Sequence, residues 1–115
     1  MLQAIIMAAH ANRLSWDEYF AKIVSVTAER SPCERLQVGC LLVKDNRIIS
    51  IGQTGYNGRP HAEHNAIEDS NEKLLGSKMY VTLEPCNHYG KTPPCTKKII
   101  KSGINEIIYS MNDID

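Results

Sequence analysis

Hydrophobic residues recur along this chain with two different spacings. From about Trp16 to Glu29 they follow steps of three and four: Trp16, Tyr19, Phe20, Ile23, Val24 and Thr27 make one stripe. That spacing predicts an amphipathic helix with the stripe in the core. Ser15 and Glu18 form a capping box at its start, and Ser31-Pro32 ends it. Two short apolar runs, Gln37–Val43 and Ile48–Ile51, then read as strands. The polar turn Lys44-Asp45-Asn46-Arg47 between them predicts an antiparallel hairpin. Three glycines mark Gly52–Pro60 as a loop. A helix is expected from near His61 to about Lys73, with Pro60 at its N-terminal edge, where no amide partner is lost. Gly76 breaks the chain, and Met79–Leu83 reads as a third strand. Residues 84–94 are irregular. A helix from about Cys95 to Ser102, capped by Gly103, and a last strand, Glu106–Ser110, follow. A strand, helix and strand in succession imply a right-handed parallel crossover. The fold class is therefore α/β, three-layered as α/β/α, around a mixed sheet that joins an antiparallel hairpin to parallel strands.

Composition narrows the class. With 115 residues, 43% hydrophobic and 23% charged, the chain makes one compact domain with its own core and is not disordered. Thirteen basic residues balance thirteen acidic ones, so no global field draws in a polyanion and no polynucleotide partner is expected. No apolar run approaches the ~20 residues of a membrane span. Leu2–Ala9 is apolar and Ala9-His10-Ala11 mimics a signal-peptidase site, but no basic residue precedes this short run. Residues 1–14 are read as a helical N-terminal extension, without a role for His10, and residues 15–115 as a single domain. Without a convincing signal peptide, the cysteines at 33, 40, 86 and 95 are expected to be reduced and the protein cytoplasmic. Cys40 reads as a core residue of its strand and Cys33 as a loop thiol.

Three features can carry chemistry: His61-Ala62-Glu63 at a helix start, Pro85-Cys86 after a strand, and Pro94-Cys95 at the next helix start. One imidazole and two thiolates, His61, Cys86 and Cys95, make a three-ligand Zn2+ set that keeps a fourth position for water. A helix N-terminus favours negative charge, which helps to hold the Cys95 thiolate. Glu63 sits two residues beyond His61. That spacing is too wide around a helix for both to hold one metal, but it suits a carboxylate that takes a proton from the water and returns it to a leaving group. A structural zinc with a fourth ligand from His64, His88 or Cys33 is the competing reading of the same residues.

This constellation resembles the zinc-dependent cytidine and deoxycytidylate deaminase superfamily, whose signature is H-x-E followed by P-C-x-x-C. The resemblance covers residues 15–110. It implies His61, Cys86 and Cys95 as zinc ligands, Glu63 as the proton shuttle, Asn57 as a contact to the substrate's sugar or ring, and the Ala62 backbone amide as a donor to a ring carbonyl. Eight residues, rather than two, separate Cys86 from Cys95. The run TLEPCNHYGKTPPCT, Thr82 to Thr96, resembles the pyrimidine deaminase domain of riboflavin biosynthesis. That likeness implies ribose-phosphate contacts from His88, Lys91 and Thr92, whose imidazole, ammonium and hydroxyl suit a phosphate.

The front half resembles deoxycytidylate deaminases instead, through Trp16-Asp17-Glu18-Tyr19-Phe20, Arg35-Leu36-Gln37-Val38-Gly39 and His61-Ala62-Glu63-His64-Asn65-Ala66-Ile67. Where the riboflavin family has a sugar-binding histidine before the zinc helix, this chain has Thr54. The implied activity is hydrolytic deamination of an aminopyrimidine nucleotide, a small-molecule substrate. The alternatives are a deoxycytidylate or cytidine-type deaminase and, from another class, a non-catalytic zinc or nucleotide-binding module. A sheet edge left open after Tyr109 predicts a homo-oligomer. A fused reductase does not fit in 115 residues, so any reductase partner is expected on a separate chain.

Overall fold

A computed structural model describes residues 13–33, 36–82 and 95–110. Its elements are α1 (Trp16–Ala28), β1 (Gly39–Lys44), β2 (Arg47–Gln53), a 3-10 turn (Tyr56–Gly58), α2 (Ala62–Asp69), β3 (Lys78–Val81), α3 (Cys95–Ser102) and β4 (Glu106–Tyr109). The strands lie in the order β2-β1-β3-β4. β1 pairs antiparallel with both β2 and β3, while β3 and β4 are parallel, which makes the expected mixed sheet. The hairpin turns on Asp45 and Asn46, both at positive φ, a conformation that Asn and Asp tolerate better than most residues.

Alternation along the strands divides the core into two layers. Leu41, Val43 and Tyr80 meet Phe20 and Val24 of α1 on one face. Cys40, Leu42, Met79 and Val81 meet Ala62 and Ala66 of α2 and Ile99 of α3 on the other. Helices therefore cover both faces. No helix among the described residues is long and apolar enough to cross a membrane.

The capping box at Ser15 and Glu18 is present in both directions. The buried face of α1 differs from the expected stripe: Phe20, Val24 and Ala28 are buried, whereas Trp16 and Tyr19 are 55% and 44% exposed. The cause lies in β1. A Cβ on Gly39 would stand 2.6 Å from the Val24 carbonyl oxygen and 2.7 Å from the Ala28 nitrogen, so the helix backbone rests directly on this glycine. That close approach turns the 20–24–28 row into the sheet. Trp16 is left to stack on Phe20, with ring centroids 5.7 Å apart.

Both ends of the second helix move as well. The second helix ends at Asp69 rather than near Lys73. The Ser70 hydroxyl donates to the Glu72 carbonyl and accepts from the Glu72 amide, local bonds that compete with the helix. Pro60 stands outside the helix, in a cis peptide after Arg59, and His61 is the N-cap.

One buried polar contact yields a stability prediction. The Tyr80 hydroxyl donates to Asp17 Oδ1 at 2.6 Å and ties the start of α1 to β3. Burial, followed by the bond to and charge of Asp17, pushes the phenol above its ordinary pKa. A raised folded-state value stabilises the protein at all pH below the unfolded phenol's pKa near 10, and that contribution fades as pH climbs through the folded value. Tyr80→Phe is expected to cost about 1–2 kcal/mol near neutral pH. Denaturant melts should show the gap between wild type and variant closing above about pH 10. A gap that widens in alkali would contradict the sign.

Candidate active site

Four of the expected site residues, Asn57, His61, Ala62 and Glu63, follow one another where β2 hands over to α2. β2 ends at Gln53, the chain makes a short 3-10 turn, and His61 caps α2 with extended backbone. Thr54 is fully buried. Its hydroxyl accepts from the Val38 amide at 3.1 Å and its backbone amide donates to the Val38 carbonyl at 3.0 Å. Ser31 Oγ donates to the Thr54 carbonyl at 2.7 Å, and the same hydroxyl accepts from the Cys33 amide. Thr54 thus locks the strand end into the core and faces protein on all sides. Cys40 is a core residue, as expected, while the Cys33 thiol, expected in a loop, is buried there.

The loop from Thr54 to Pro60 closes on itself. The Gly55 amide donates to the Pro60 carbonyl at 2.9 Å, Gly58 to Gly55 at 3.1 Å and Arg59 to Tyr56 at 3.2 Å. Gly55 is needed there, because a Cβ would meet the Arg59 carbonyl and stand 3.0 Å from Pro60 Cδ. Asn57 lies in the 3-10 turn of this loop.

The first turn of α2 holds the next candidates. His61 is half-buried, Ala62 is fully buried, and Glu63 is only 3% exposed. A carboxylate in that position benefits from the unpaired amides at the helix start. The helix lies directly on β2, where Ala66 Cα would stand 2.9 Å from a Cβ on Gly52 and the Ser50 hydroxyl donates to the Ala66 carbonyl. α3 begins at Cys95 and packs beside α2. Lys98 Nζ, one turn into α3, donates to Glu68 Oε2 of α2 at 2.6 Å, and this cation holds the Glu68 carboxyl below its ordinary pKa.

His61, Ala62 and Glu63 thus stand together at the start of α2, after the turn that holds Asn57, and α3, which begins at Cys95, packs beside this helix. Cys86, His88, Lys91 and Thr92 lie outside the described residues. Among the described residues no three His, Cys, Asp or Glu side chains form a metal-sized cluster, and the third expected ligand is one of those outside them. The donor chemistry suits zinc: an imidazole at the N-cap, a cysteine at the first position of the neighbouring helix, and a buried carboxylate in the first turn after the imidazole.

Sequence reasoning missed Asn65. Its Nδ2 donates to the Gln53 carbonyl at 2.8 Å and approaches the Pro60 carbonyl at 3.5 Å. The available signal was an asparagine, a weak helix former, in the middle of a short helix.

The chain matches the family model described as "Cytidine and deoxycytidylate deaminase zinc-binding region" over residues 14–111. A diaminohydroxyphosphoribosylamino-pyrimidine deaminase of Buchnera aphidicola is 53% identical over 76 residues, 66% of this chain and 52% of that protein. The Escherichia coli riboflavin biosynthesis protein RibD is 40% identical over 100 residues, 84% of this chain and 27% of that one. The chain thus spans about half the length of the first of these relatives and about a quarter of the second. Two solved structures share the fold. The Thermotoga maritima deaminase/reductase superposes with a TM-score of 0.75 at 44% identity, covering 82% of this chain and 29% of that one. The dCMP deaminase of cyanophage S-TIM5 superposes with a TM-score of 0.67 at 28% identity, covering 80% of this chain and 79% of the other.

Proposed function

Because the chain belongs to the cytidine and deoxycytidylate deaminase zinc-binding family, we propose that it is a hydrolase that deaminates an aminopyrimidine nucleotide, the diaminohydroxyphosphoribosylaminopyrimidine of riboflavin biosynthesis above others. The observation that carries the reading is Glu63, a carboxylate almost fully buried two residues beyond the N-cap His61. Such burial suits a group that must hold and release a proton.

His61, Cys86 and Cys95 would hold the zinc. When bound, it supplies the Lewis acidity that makes water nucleophilic near neutral pH. Glu63 takes the proton of the attacking water on a carboxylate oxygen and delivers it to the ring nitrogen. It then carries the second proton to the exocyclic amine, so that a C–O bond forms, the C–N bond breaks and ammonia leaves. The Ala62 amide, at the first helical position and without an intrahelical acceptor, holds a ring carbonyl. Asn57 orients the sugar or ring, and His88, Lys91 and Thr92 bind the ribose phosphate.

The test is ammonia release by the zinc-loaded protein from the riboflavin-pathway intermediate, dCMP and cytidine in parallel. Preference for the first supports the proposal. Preference for dCMP favours the second reading, which rests on a likeness covering 79% of the phage dCMP deaminase. Zinc uptake without ammonia from any substrate would make the chain a non-catalytic module.

Residues 15–115 form the catalytic domain in this reading and residues 1–14 an extension. The cytoplasm is the expected compartment, and a fluorescent fusion would check it. A homo-oligomer is expected too. β2 and β4 are the outer strands of the described sheet, and each displays an exposed apolar residue, Ile51 and Tyr109. A monomer by light scattering at micromolar concentration would overturn that.

A further inference from the structure

We propose that Asn65 is a positioning residue, whose side-chain amide ties both ends of the loop Thr54–Pro60 to the helix that carries His61 and Glu63. The inference rests on the deaminase reading and adds to it a residue that sets substrate affinity without touching the substrate.

The geometry is specific. Gln53 is the last residue before the loop and Pro60 its last member, and both carbonyls lie within reach of Asn65 Nδ2, at 2.8 and 3.5 Å. An amide nitrogen carries two donors, so one group can serve both ends. Two carbonyl neighbours also settle which way the amide faces, since its oxygen would be repelled there. The Pro60 carbonyl is shared with the Gly55 amide, which closes the loop. The Asn65 backbone amide donates to the His61 carbonyl at 3.1 Å, so the clamp sits on the same helical turn as the N-cap.

The seat of α2 does not depend on this side chain. Gly52 beneath Ala62 and Ala66, and Ser50 bonded to the Ala66 carbonyl, hold the helix on β2 by themselves. What Asn65 adds is the placement of the loop that carries Asn57. Its loss should therefore appear as weaker substrate binding, while the proton transfer at Glu63 and the zinc ligands stay in place.

The experiment measures KM, kcat, zinc content and amide hydrogen exchange for Asn65→Ala and Asn65→Asp in the zinc-loaded protein. The expected result for alanine is a KM raised about three- to tenfold, the scale of one lost hydrogen bond. kcat should stay within about twofold, with one zinc per site retained. The Gly55, Gly58 and Arg59 amides should exchange faster, which a general loss of stability would not confine to the loop. Aspartate sets a carboxylate against two carbonyls and should weaken binding at least as much. Unchanged KM and unchanged loop exchange would overturn the proposal. So would a loss of kcat and zinc at constant KM, or the unfolding of both variants, because the side chain would then serve the metal site or the fold. If wild type releases no ammonia from any aminopyrimidine, the deaminase reading falls, and the clamp is judged on loop exchange alone.

Discussion

Glu63→Gln is expected to lower ammonia release by about 10²–10⁴-fold, which corresponds to ~3–5 kcal/mol on the barrier, and to leave the protein folded and able to bind zinc. Glutamine keeps the shape of the side chain and its place in the first turn of α2, but it neither accepts nor returns a proton. Glu63 is nearly closed to solvent, at 3% exposure, so bulk water is poorly placed to substitute as the base. The stability change is expected to be small, because a buried amide avoids the desolvation that a buried carboxylate suffers but gives up the carboxylate's attraction to the amides at the helix start. Activity, metal content and melting temperature, measured on one preparation, separate the outcomes. A variant that keeps more than about a tenth of the wild-type rate would move the proton transfer to another group. A variant that loses its zinc would make Glu63 a ligand instead of a shuttle.

Such a test is possible because the candidate residues of the proposed chemistry lie in local sequence. His61 and Glu63 lie two residues apart, at the N-cap and the second position of a helix that begins where the loop ends, so their relation is local. The same is true of the capping box at Ser15 and Glu18 and of the Asp45-Asn46 turn. The two-layer core follows from strand alternation. What escaped was set by contacts between distant segments. Trp16 and Tyr19 carry the right spacing for burial, yet Gly39, on another element, decides which row of α1 turns inward. Thr54 invites comparison with a substrate-binding position, but its partners are Val38 and Ser31, 16 and 23 residues away. Asn65 looks like one polar helix position among several until Gln53 and Pro60 are placed beside it. Pro60 fits the first turn of a helix by its own preferences, and the bond from Gly55 to its carbonyl holds it in the loop instead.

The close approach of α2 to β2 gives the second large effect, at a residue with no chemistry of its own. Gly52→Val is expected to destabilise the protein by about 3 kcal/mol or more and to reduce activity with it. A Cβ at Gly52 would collide with the Ala62 carbonyl and the Ala66 amide and come within 2.9 Å of Ala66 Cα. These are backbone atoms of a helix, so no side-chain rotation relieves the contact. The helix must lift, and Ala62 is the residue between His61 and Glu63. The displacement therefore reaches both the proposed zinc ligand and the proposed proton shuttle, where a shift of about 1 Å costs on the order of a hundredfold in rate. Gly58→Ala makes the control. It sits at φ +79 on the loop with nothing within 4 Å of an added Cβ, so only the cost of the left-handed backbone, about 1–2 kcal/mol, is expected. Denaturant melts of the two variants, read beside zinc content, distinguish a displaced helix from a strained turn. If Gly52→Val melted with wild type and bound zinc normally, α2 would have room to move, and the rigid seat assigned to His61 and Glu63 would be wrong.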